Sequence, residues 1–500
     1  MRHVLAIDQG TTGSTCLLVR EDGALVGRGY REITQHYPRP GWVEHDADEL
    51  FDRTVAAAHD AIAQAGVAPD AIGITNQRET IVVWERATGR PVARAIVWQD
   101  RRTAERCRAL AGESERVAAR TGLVVDPYFS ATKLEWLLAD GHAGRARRGE
   151  LLAGTVDSWL VWRLTGGRVH ATEPTNASRT MLFDIDRRAW SEELCELFGV
   201  PMAMLPEVRP SAGRFGETDA ALFGRPLPIA GIAGDQQAAL FGQGCWARGT
   251  SKQTYGTGAF LLLNTGPQRP AAAPGVLTTL ACDASGQPVY ALEGAIFVAG
   301  AAVQWLRDGL GVVGRAEETA ALAASVASTD GVYFVPALTG LGAPDWEPEA
   351  RGTIVGLTRG TTRAHLARAA LEAMAYSTAD VLALMHQRSG AADATSPLRV
   401  DGGAASNDWL MQFQADVLGR PVERPDVVET TALGAAGLAG IGCGVWSAAD
   451  QYLQGRRFRR FEPGPGAPAA RVGAAGWRRA VRATLAWARD RGTGEGESGM

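Results

Sequence analysis

Three stretches of the sequence each place an aspartate close to glycine at the end of an apolar run. Asp8 lies in "LAIDQGTTGST", Asp235 in "GIAGDQQAALFG" and Asp401 in "RVDGGAASN". Small residues let backbone N–H groups approach an anion, and a helix that begins just afterwards adds its positive end. Because three carboxylates would repel a phosphate, the pattern favours phosphates reached through a divalent cation or a proton-yielding hydroxyl. Asp before Gly is also common turn chemistry, so one stretch alone would not distinguish the two interpretations.

The lysine content of the chain limits how it could bind ATP. Only two of its 51 basic residues are lysine, Lys133 and Lys252, and the simplest explanation for this bias is genomic base composition. A Gly-Lys-Ser/Thr phosphate loop requires a lysine after glycine, and neither lysine has one. If the protein binds ATP, it does so without a Walker A loop.

Apolar periodicity predicts the elements that carry these stretches. "HVLAID" and "TCLLVRED" predict a hairpin around a Gly-Thr turn, and "PIAGIAGDQQAALFGQG" predicts a strand, a glycine turn and a helix. A helix is expected to begin after Asp46, with Glu49 in a capping-box position, and to end at Gly66. "RAHLARAALEAMAYSTADVLALMHQRSG" predicts a long helix, "TTALGAAGLAGIGCG" a closely packed helix, and "RRFRRF" (456–461) a solvated strand edge.

Length and composition indicate a globular protein of at least two domains. The chain has 500 residues, 46% of them hydrophobic and 21% charged, which is too long for one ordinary core. A net charge of −4 gives no electrostatic reason for binding nucleic acid, and no apolar stretch is long enough to predict membrane insertion. The six scattered cysteines and the absence of a signal-peptide pattern predict reduced thiols in a cytoplasmic protein.

Eight motifs, in order, resemble those of the FGGY carbohydrate kinases, a family with the actin-like ATPase fold. They are "DQGTTGST", "GITNQRET", "AIVWQDRRTAE", "GTVDSWLVWRLTGG", "TNASRTMLF", "GIAGDQQAALFGQ", "TYGTG" and "LRVDGGAASNDWLMQFQAD", and they extend from residue 4 to about 445. The resemblance implies an α/β protein whose two ribonuclease-H-like (actin-like ATPase) domains flank a central cleft. It places the N-terminal domain at 1–246 and the C-terminal, nucleotide-binding domain at 247–490. The composition of "RGTGEGESGM" predicts a disordered tail at 491–500. The resemblance also implies a homodimer or homotetramer.

The same resemblance implies ATP-dependent phosphorylation of a small polyol. "NQRET" together with "AGDQQAALFG" favours glycerol as the acceptor, giving sn-glycerol 3-phosphate, over pentuloses or gluconate. A related kinase acting on xylulose or a similar polyol is the alternative. An actin-like or chaperone-like ATPase is a third possibility, but such a protein would need no polyol pocket.

Polar groups beside aromatic rings predict the polyol pocket. Arg78 offers a planar fork of donors and Glu79 accepts, whereas Trp98 and Phe260 would cover the C–H face. Standing alone, Arg78–Glu79 would be an exposed ion pair, and Trp98 would be ordinary packing. The resemblance assigns seven residues to this pocket: Arg78, Glu79, Trp98, Tyr128, Asp235, Gln236 and Phe260. Among these, Asp235 is the predicted base that accepts the proton of the reacting hydroxyl.

On the nucleotide side, the resemblance assigns Asp8 to Mg²⁺, through bound water, and assigns eight residues to ATP. These are Thr11, Thr12, Gly13, Thr257, Gly300, Gln304, Gly403 and Asn407. Thr15 departs from the family pattern, which has arginine there, so one phosphate contact is lost or replaced. The stretch "ETDAALFGRPLPIAG" lacks the fructose 1,6-bisphosphate loop of some enterobacterial relatives and the phosphorylatable histidine of some Gram-positive relatives, so neither control is expected here.

Overall fold

The structure is a computed structural model that describes residues 1–272, 274–390 and 395–490. The predicted tail at 491–500 lies outside these ranges. In the first half of the chain the strands are β1 (His3–Gln9), β2 (Gly13–Arg20), β3 (Leu25–Glu32), β4 (Glu44–His45), β5 (Ala71–Asn76), β6 (Ile81–Glu85), β7 (Ala95–Ile96), β8 (Leu151–Thr155), β9 (Ala171–Thr172), β10 (Phe183–Asp184), β11 (Ala189–Trp190), β12 (Glu207–Val208), β13 (Ala212–Glu217) and β14 (Pro228–Gly234). In the second half they are β15 (Ser251–Tyr255), β16 (Ala259–Gly266), β17 (Leu277–Cys282), β18 (Pro288–Ile296), β19 (Tyr333–Val335), β20 (Thr353–Val355), β21 (Leu398–Gly402), β22 (Val422–Pro425) and β23 (Phe458–Phe461).

The helices surround these strands. Those of the first half are α1 (Ala47–Ala65), α2 (Ala104–Ala109), α3 (Ser114–Thr121), α4 (Ala131–Ala139), α5 (Ala143–Arg147), α6 (Val156–Leu164), α7 (Pro174–Ala177), α8 (Glu192–Leu197), α9 (Ala220–Phe223) and α10 (Asp235–Gly242). Those of the second half are α11 (Gly300–Asp308), α12 (Glu318–Ala324), α13 (Arg363–Ser389), α14 (Asp408–Leu418), α15 (Thr430–Gly442), α16 (Ala449–Leu453) and α17 (Ala467–Arg489).

Two large mixed sheets form the core of the protein, one from each half. The first has the order β13-β14-β5-β1-β2-β3, and the second has the order β17-β18-β16-β15-β21-β22-β23. In both sheets an antiparallel hairpin leads into parallel strands: β1 pairs with β2 and β5, and β15 pairs with β16 and β21. This repeat confirms the predicted fold class, two ribonuclease-H-like halves around a cleft.

Local sequence signals account for several elements. Helix α1 begins after Asp46, whose side chain accepts from the N–H groups of Asp48 and Glu49, and it ends at Gly66 in the left-handed conformation. The predicted hairpin β1–β2 and the long helix α13 are also present, and β23 is the edge strand of the second sheet. One detail differs: Gly234 is the last residue of β14 and Asp235 the first of α10, so no turn separates them.

Helix α15 comes from the second half of the sequence but packs on the first sheet. Its residues Ala432, Leu433 and Ala436 share a buried cluster with Val4 and Ala6 of β1. A Cβ on Gly434 would overlap the carbonyl oxygen of Ala238 in α10, so this helix pair approaches closely only because a glycine is present. The predicted role of the small-residue helix in close packing is confirmed.

The six cysteines are all free, and five of them are buried. Burial raises the pKa of the Cys16 and Cys282 thiols, so these side chains act as small apolar groups. No helix in the described ranges is long and apolar enough to cross a membrane.

Candidate active site

The turn between β1 and β2 forms the first of three loops at the ends of the central strands. Thr11 is half-buried and Thr12 exposed, whereas Gly13 already belongs to β2 and is buried. A Cβ on Gly13 would overlap the carbonyl oxygen of Arg31 in β3, so the hairpin requires glycine here. The loop therefore presents two hydroxyl groups on a backbone that neighbouring strands hold in place.

A second loop joins β15 and β16 at the equivalent place in the other sheet. Gly256 and Thr257 are exposed at its tip, and the carbonyl of Thr257 accepts from the N–H groups of Ala299 (2.9 Å) and Ala301 (3.0 Å). A Cβ on Gly300 would lie 2.6 Å from the carbonyl oxygen of Gly256. Glycine at position 300 thus allows the start of α11, which also carries the exposed Gln304, to pack directly against the loop.

The third loop follows β21. Gly402 has a φ of +84°, and a Cβ there would overlap the carbonyl oxygen of Tyr255, whereas Gly403 is exposed with open space around it. Asn407 is the N-cap of α14: its side chain accepts from the N–H of Leu410 (3.0 Å) and donates to Thr319 Oγ1 (3.3 Å). The structure therefore brings Thr257, Gly300 and Gly403 to the ends of neighbouring strands and gives Asn407 a capping role.

Asp8 and Asp235 lie at the ends of two strands of the first sheet. Burial and the negative charge of Asp235 raise the pKa of the Asp8 carboxyl to about 7. Within the described ranges, no group of three or more His, Cys, Asp or Glu side chains is placed to hold a metal ion unaided. One or two carboxylates that repel each other fit Mg²⁺, which keeps several waters and takes its other ligands from phosphate oxygens. Thr15 faces Asp8 directly across the hairpin.

Asp401, in β21, is held by side chains from two neighbouring parts of the chain. Its side chain is buried, and its Oδ2 accepts from Gln243 Nε2 (2.7 Å) and from the hydroxyl of Thr430. The carboxylate therefore joins α10, α15 and β21. Neighbouring side chains thus use Oδ2 of Asp401, whereas its buried Oδ1 has no hydrogen-bond partner among the described residues. That Asp401 faces the bound phosphates together with Asp8 and Asp235 stays a prediction.

Arg78 and Glu79 are buried immediately after β5, so the exposed ion pair considered from sequence is not formed. The Nε of Arg78 lies 3.1 Å from Asp235 Oδ1, and its Nη1 lies 2.5 Å from Glu293 Oε2. Nη2 of Arg78 also donates to the hydroxyl of Tyr128 at 3.5 Å. The arginine therefore connects the predicted base to the wall of the predicted polyol pocket.

Arg179 and Glu293 complete this charge cluster, and neither was predicted from the sequence. Arg179 Nε lies 2.6 Å from Glu79 Oε1, and its Nη2 lies 2.8 Å from Glu293 Oε1. Although burial opposes ionisation, Arg179 and Arg78 lower the pKa of Glu293 to about 2, whereas burial raises the pKa of Glu79. Arg179 lies in the motif "TNASRTMLF", which carried no assigned role, and nothing local marked Glu293. Its partners are more than 100 positions away.

Aromatic side chains stand next to this cluster. The rings of Trp98 and Tyr128 meet edge to face at 5.5 Å, and the Trp98 indole N–H donates to Thr11 Oγ1 at 2.9 Å. Lys133 Nζ donates to the carbonyls of Tyr128 (3.0 Å) and Trp98 (3.4 Å). Phe260, in β16 of the second sheet, is half-buried. The hydrogen bond from Trp98 to Thr11 places the aromatic wall directly beside the first loop.

Gln236 follows Asp235 at the start of α10. Its N–H donates to Asp235 Oδ1 at 2.7 Å, and its side-chain Oε1 accepts from Lys252 Nζ at 2.5 Å. Asp235 and Gln236 therefore stand between the charge cluster of the first half and strand β15 of the second half. The arrangement provides a carboxylate next to donors and aromatic surface, close to loops suited to phosphate groups.

Comparison with known families finds two matching family models along the chain. Residues 3–242 match the model of the FGGY family of carbohydrate kinases, N-terminal domain, and residues 252–443 match the corresponding C-terminal domain.

Similar proteins cover almost the whole chain. A glycerol kinase of Bordetella parapertussis is 54% identical over 498 residues, covering 97% of this chain and 98% of that protein. A glycerol kinase of Citrifermentans bemidjiense is 55% identical over 495 residues, covering 97% and 99%. Among solved structures, Plasmodium falciparum glycerol kinase with ADP matches with a TM-score of 0.92 and 34% identity, covering 97% of this chain and 98% of that one. Xylulose kinase from Rhodospirillum rubrum matches with a TM-score of 0.87 and 25% identity, covering 98% and 100%.

Proposed function

Because the chain belongs to the FGGY family of carbohydrate kinases, we propose that it transfers the γ-phosphoryl group of ATP to glycerol, giving sn-glycerol 3-phosphate and ADP. The observation that carries this proposal is the buried Arg78–Glu79 pair beside Asp235, between aromatic rings and three glycine-bearing loops. Relatives more than 50% identical over nearly the whole chain are named glycerol kinase, which supports glycerol as the acceptor.

Asp235 is the proposed base. As the terminal hydroxyl oxygen of glycerol bonds to the γ-phosphorus, its proton passes to Asp235, and the bond to the β–γ bridging oxygen breaks with its electron pair leaving on ADP. Arg78 Nε at 3.1 Å and the N–H of Gln236 at 2.7 Å hold the carboxylate in one orientation. Both contacts engage Oδ1, so Oδ2 is the oxygen that we expect to receive the proton.

The polyol pocket is proposed to consist of Arg78, Glu79, Trp98, Tyr128, Gln236 and Phe260. Two hydroxyl groups of glycerol can then exchange hydrogen bonds with charged or amide side chains, which favours a substrate that carries those hydroxyls. Trp98 and Tyr128 limit the space beside them, and this steric limit is what would disfavour a longer pentulose.

The phosphate groups are proposed to bind at the three loops. Thr11, Thr12 and Gly13 would contact them from the first sheet, and Thr257, Gly300, Gln304, Gly403 and Asn407 would line the nucleotide site in the second. Asp8 would hold Mg²⁺ through water. When bound, this ion supplies positive charge against the phosphate oxygens. Excluding water from the space between Asp235 and the loops favours transfer to glycerol over hydrolysis.

A coupled assay of ADP release tests the proposal. The purified chain is expected to release ADP with glycerol and ATP, and to do so far more slowly with D-xylulose. Activity with D-xylulose and none with glycerol would establish the alternative, a related sugar kinase. ATP turnover that is independent of any polyol, but stimulated by a client protein, would instead indicate an actin-like or chaperone-like ATPase.

We also propose a cytoplasmic protein that assembles as a homodimer or homotetramer. The six free thiols support a reducing compartment. Light scattering after size-exclusion chromatography measures the assembly, and a monomer at assay concentration would contradict it.

A further inference from the structure

The only two lysines in the sequence both lie against the candidate active site. Every other one of the 51 basic residues is arginine, yet Lys133 and Lys252 are buried with no exposed surface. Lys133 Nζ donates to the carbonyls of Trp98 and Tyr128, and Lys252 Nζ donates to the side-chain oxygen of Gln236. Arginine is a planar fork of five donors, whereas lysine is a compact point charge. In a chain that otherwise uses arginine, these two positions are therefore the ones where a compact cation is required.

Lys252 connects the two halves of the protein. It lies in β15 of the second sheet, which leads into the loop at 256–258. Its Nζ donates to Gln236 Oε1 at 2.5 Å and to Thr254 Oγ1 at 2.8 Å. Gln236 belongs to α10 of the first half and directly follows Asp235, so the ammonium group stands one residue from the proposed base.

The charges that act on Lys252 come from both halves. Asp401 on β21, Asp235 on α10 and Glu293 on β18 are negative, whereas Arg78 is positive. Burial lowers the pKa of Lys252 to about 8 despite the three carboxylates. Asp401 Oδ1 is buried and has no hydrogen-bond partner among the described residues. Burying a carboxylate with one oxygen that lacks a hydrogen bond raises the free energy of the folded state unless a cation is near. The ammonium group of Lys252 is such a cation, since Asp401 acts on it electrostatically.

The contact with Lys252 determines which way the Gln236 carboxamide faces. The oxygen of the amide accepts from the ammonium group, so its NH₂ group lies at the opposite end. Rotating the amide by half a turn would place its NH₂ group against the Lys252 ammonium group. Both groups are donors, so this arrangement is unfavourable. The NH₂ group is therefore free to donate to a substrate oxygen, while carboxylates are left to accept the substrate's own protons.

We propose that Lys252 is a positioning residue for phosphoryl transfer, orienting the Gln236 carboxamide beside Asp235 and balancing the negative charge where the two halves meet. This inference rests on the proposed function of the site. It adds a cation from the second half that no family motif in the sequence analysis assigned a role.

Kinetics of two variants test the proposal. Lys252→Met removes the donor, and Lys252→Arg keeps the charge in a shape that does not fit. For both, kcat/KM for glycerol is expected to fall roughly 10- to 100-fold, the range for losing a hydrogen bond to a charged group. ADP binding, measured by calorimetry, is expected to stay within about threefold of the wild type. A folded Lys252→Met variant with the kcat/KM of the wild type would overturn the proposal. A Lys252→Arg variant with the kcat/KM of the wild type would overturn it as well.

A double-mutant cycle separates positioning from a general loss of structure. If Lys252 acts through Gln236, then Lys252→Met in a Gln236→Leu background should cost less than about threefold beyond Gln236→Leu alone. Losses that multiply would contradict this role, even if either single variant were destabilised.

Glu372→Gln is the matched control. Glu372 is a buried charge in α13 that accepts from Arg368 Nε and from the hydroxyl of Tyr376, neither of which belongs to the candidate site. This variant is expected to lower the Tm while keeping kcat/KM. A loss equal to that of Lys252→Met would show that any buried charge in the second half has the same effect, and would overturn the proposal. If the wild-type chain phosphorylates another polyol, the variants are compared on that polyol, so the two proposals fail separately.

Discussion

Glu79 has a φ of +62°, a conformation that non-glycine residues adopt only where surrounding contacts hold it. Here the side chain is tied to Arg179 at 2.6 Å, and the carbonyl of Glu79 accepts from Ser130 Oγ at 2.8 Å. Backbone strain of this kind persists only where surrounding contacts hold it, and it is often found at functional sites. This observation supports the assignment of Glu79 to the polyol pocket independently of any motif.

Asp235→Asn tests the proposed base at the scale of one residue. The change keeps the size of the side chain but removes the proton acceptor, so kcat is expected to fall about 10²- to 10⁴-fold. ADP binding is expected to remain, because the phosphate loops are untouched. Steady-state kinetics together with calorimetry measure both effects. A near-normal kcat would remove Asp235 as the base.

Lys252 predicts that activity and stability change in opposite directions above pH 8. As the pH rises through about 8, the buried ammonium loses its proton, and kcat/KM for glycerol should fall. In the unfolded chain the same group keeps its proton until about pH 10.5. Between these values the unfolded state binds more protons, so the contribution of Lys252 to the free energy of unfolding rises with pH.

The measurement is a pH–rate profile beside denaturant unfolding at each pH, for the wild type and Lys252→Met. The difference in unfolding free energy between the two proteins isolates the contribution of this residue. If kcat/KM fell only where the protein also lost stability, simple alkaline unfolding would explain the profile.

At the scale of elements, the sequence predicted the helices and helix ends that depend on residues close together in the chain. Helix α1 was predicted with both ends because Asp46 and Gly66 act within one turn of it. Helix α15 was predicted as a closely packed helix, but its partner was not, since packing on strands that lie 196 or more positions earlier (430 − 234 for β14) leaves no local pattern. The turn predicted before Asp235 is absent for a similar reason. The glycines there indicated a turn, but in β14 they allow close packing: a Cβ on Gly231 would overlap Ala439 of α15.

Gly434→Ala tests the contact between α15 and α10. Alanine favours a helix by up to about 1 kcal/mol, but its Cβ would overlap the carbonyl of Ala238. Overpacking of this kind typically costs about 1–3 kcal/mol, so a lower Tm is expected. Because α10 begins with Asp235, kcat should fall as well.

Gly112→Ala is the control, since a Cβ there meets nothing within 4 Å. It should leave both the Tm and kcat nearly unchanged. An unchanged Tm in Gly434→Ala would show that the two helices can separate without loss, contrary to the packing described.

At the scale of the whole molecule, buried contacts join the two halves of the chain. Glu293 of the second sheet pairs with Arg78 and Arg179 of the first half, and helix α15 packs on the first sheet. The sequence predicted two similar halves correctly, but it could not show these connections, because pairs so distant in the chain have no shared periodicity. The domain bounds at 246 and 247 remain a prediction.

Glu293→Gln should weaken the connection between the halves. Removing this charge leaves two buried guanidinium groups with one carboxylate fewer, and breaking a buried pair typically costs about 3–5 kcal/mol. The expected outcome is a lower Tm and a higher KM for glycerol, with the KM for ATP changed much less. Equal changes in both KM values would indicate a general disturbance instead of a role confined to the polyol side.

The same contacts predict a single cooperative unfolding transition. Separate domains commonly unfold independently, but here each half buries groups of the other. Scanning calorimetry of the wild-type protein should give one peak whose calorimetric and van't Hoff enthalpies agree. Two resolved peaks in the wild type would show that the halves are stable apart.

Every nitrogen of the Arg78 guanidinium group has a protein partner. Nε lies 3.1 Å from Asp235 Oδ1 in an ion pair, Nη1 donates to Gln237 and Glu293, and Nη2 donates to Tyr128 and Glu293. The rotamer of Arg78 is thus selected when the chain folds, and an incoming polyol finds the cation already immobilised. The entropy of ordering this long side chain is then part of folding and absent from the affinity for substrate. Such a pocket offers its ligand groups whose positions are fixed before binding, so a hydroxyl binds well only where its oxygen matches those positions.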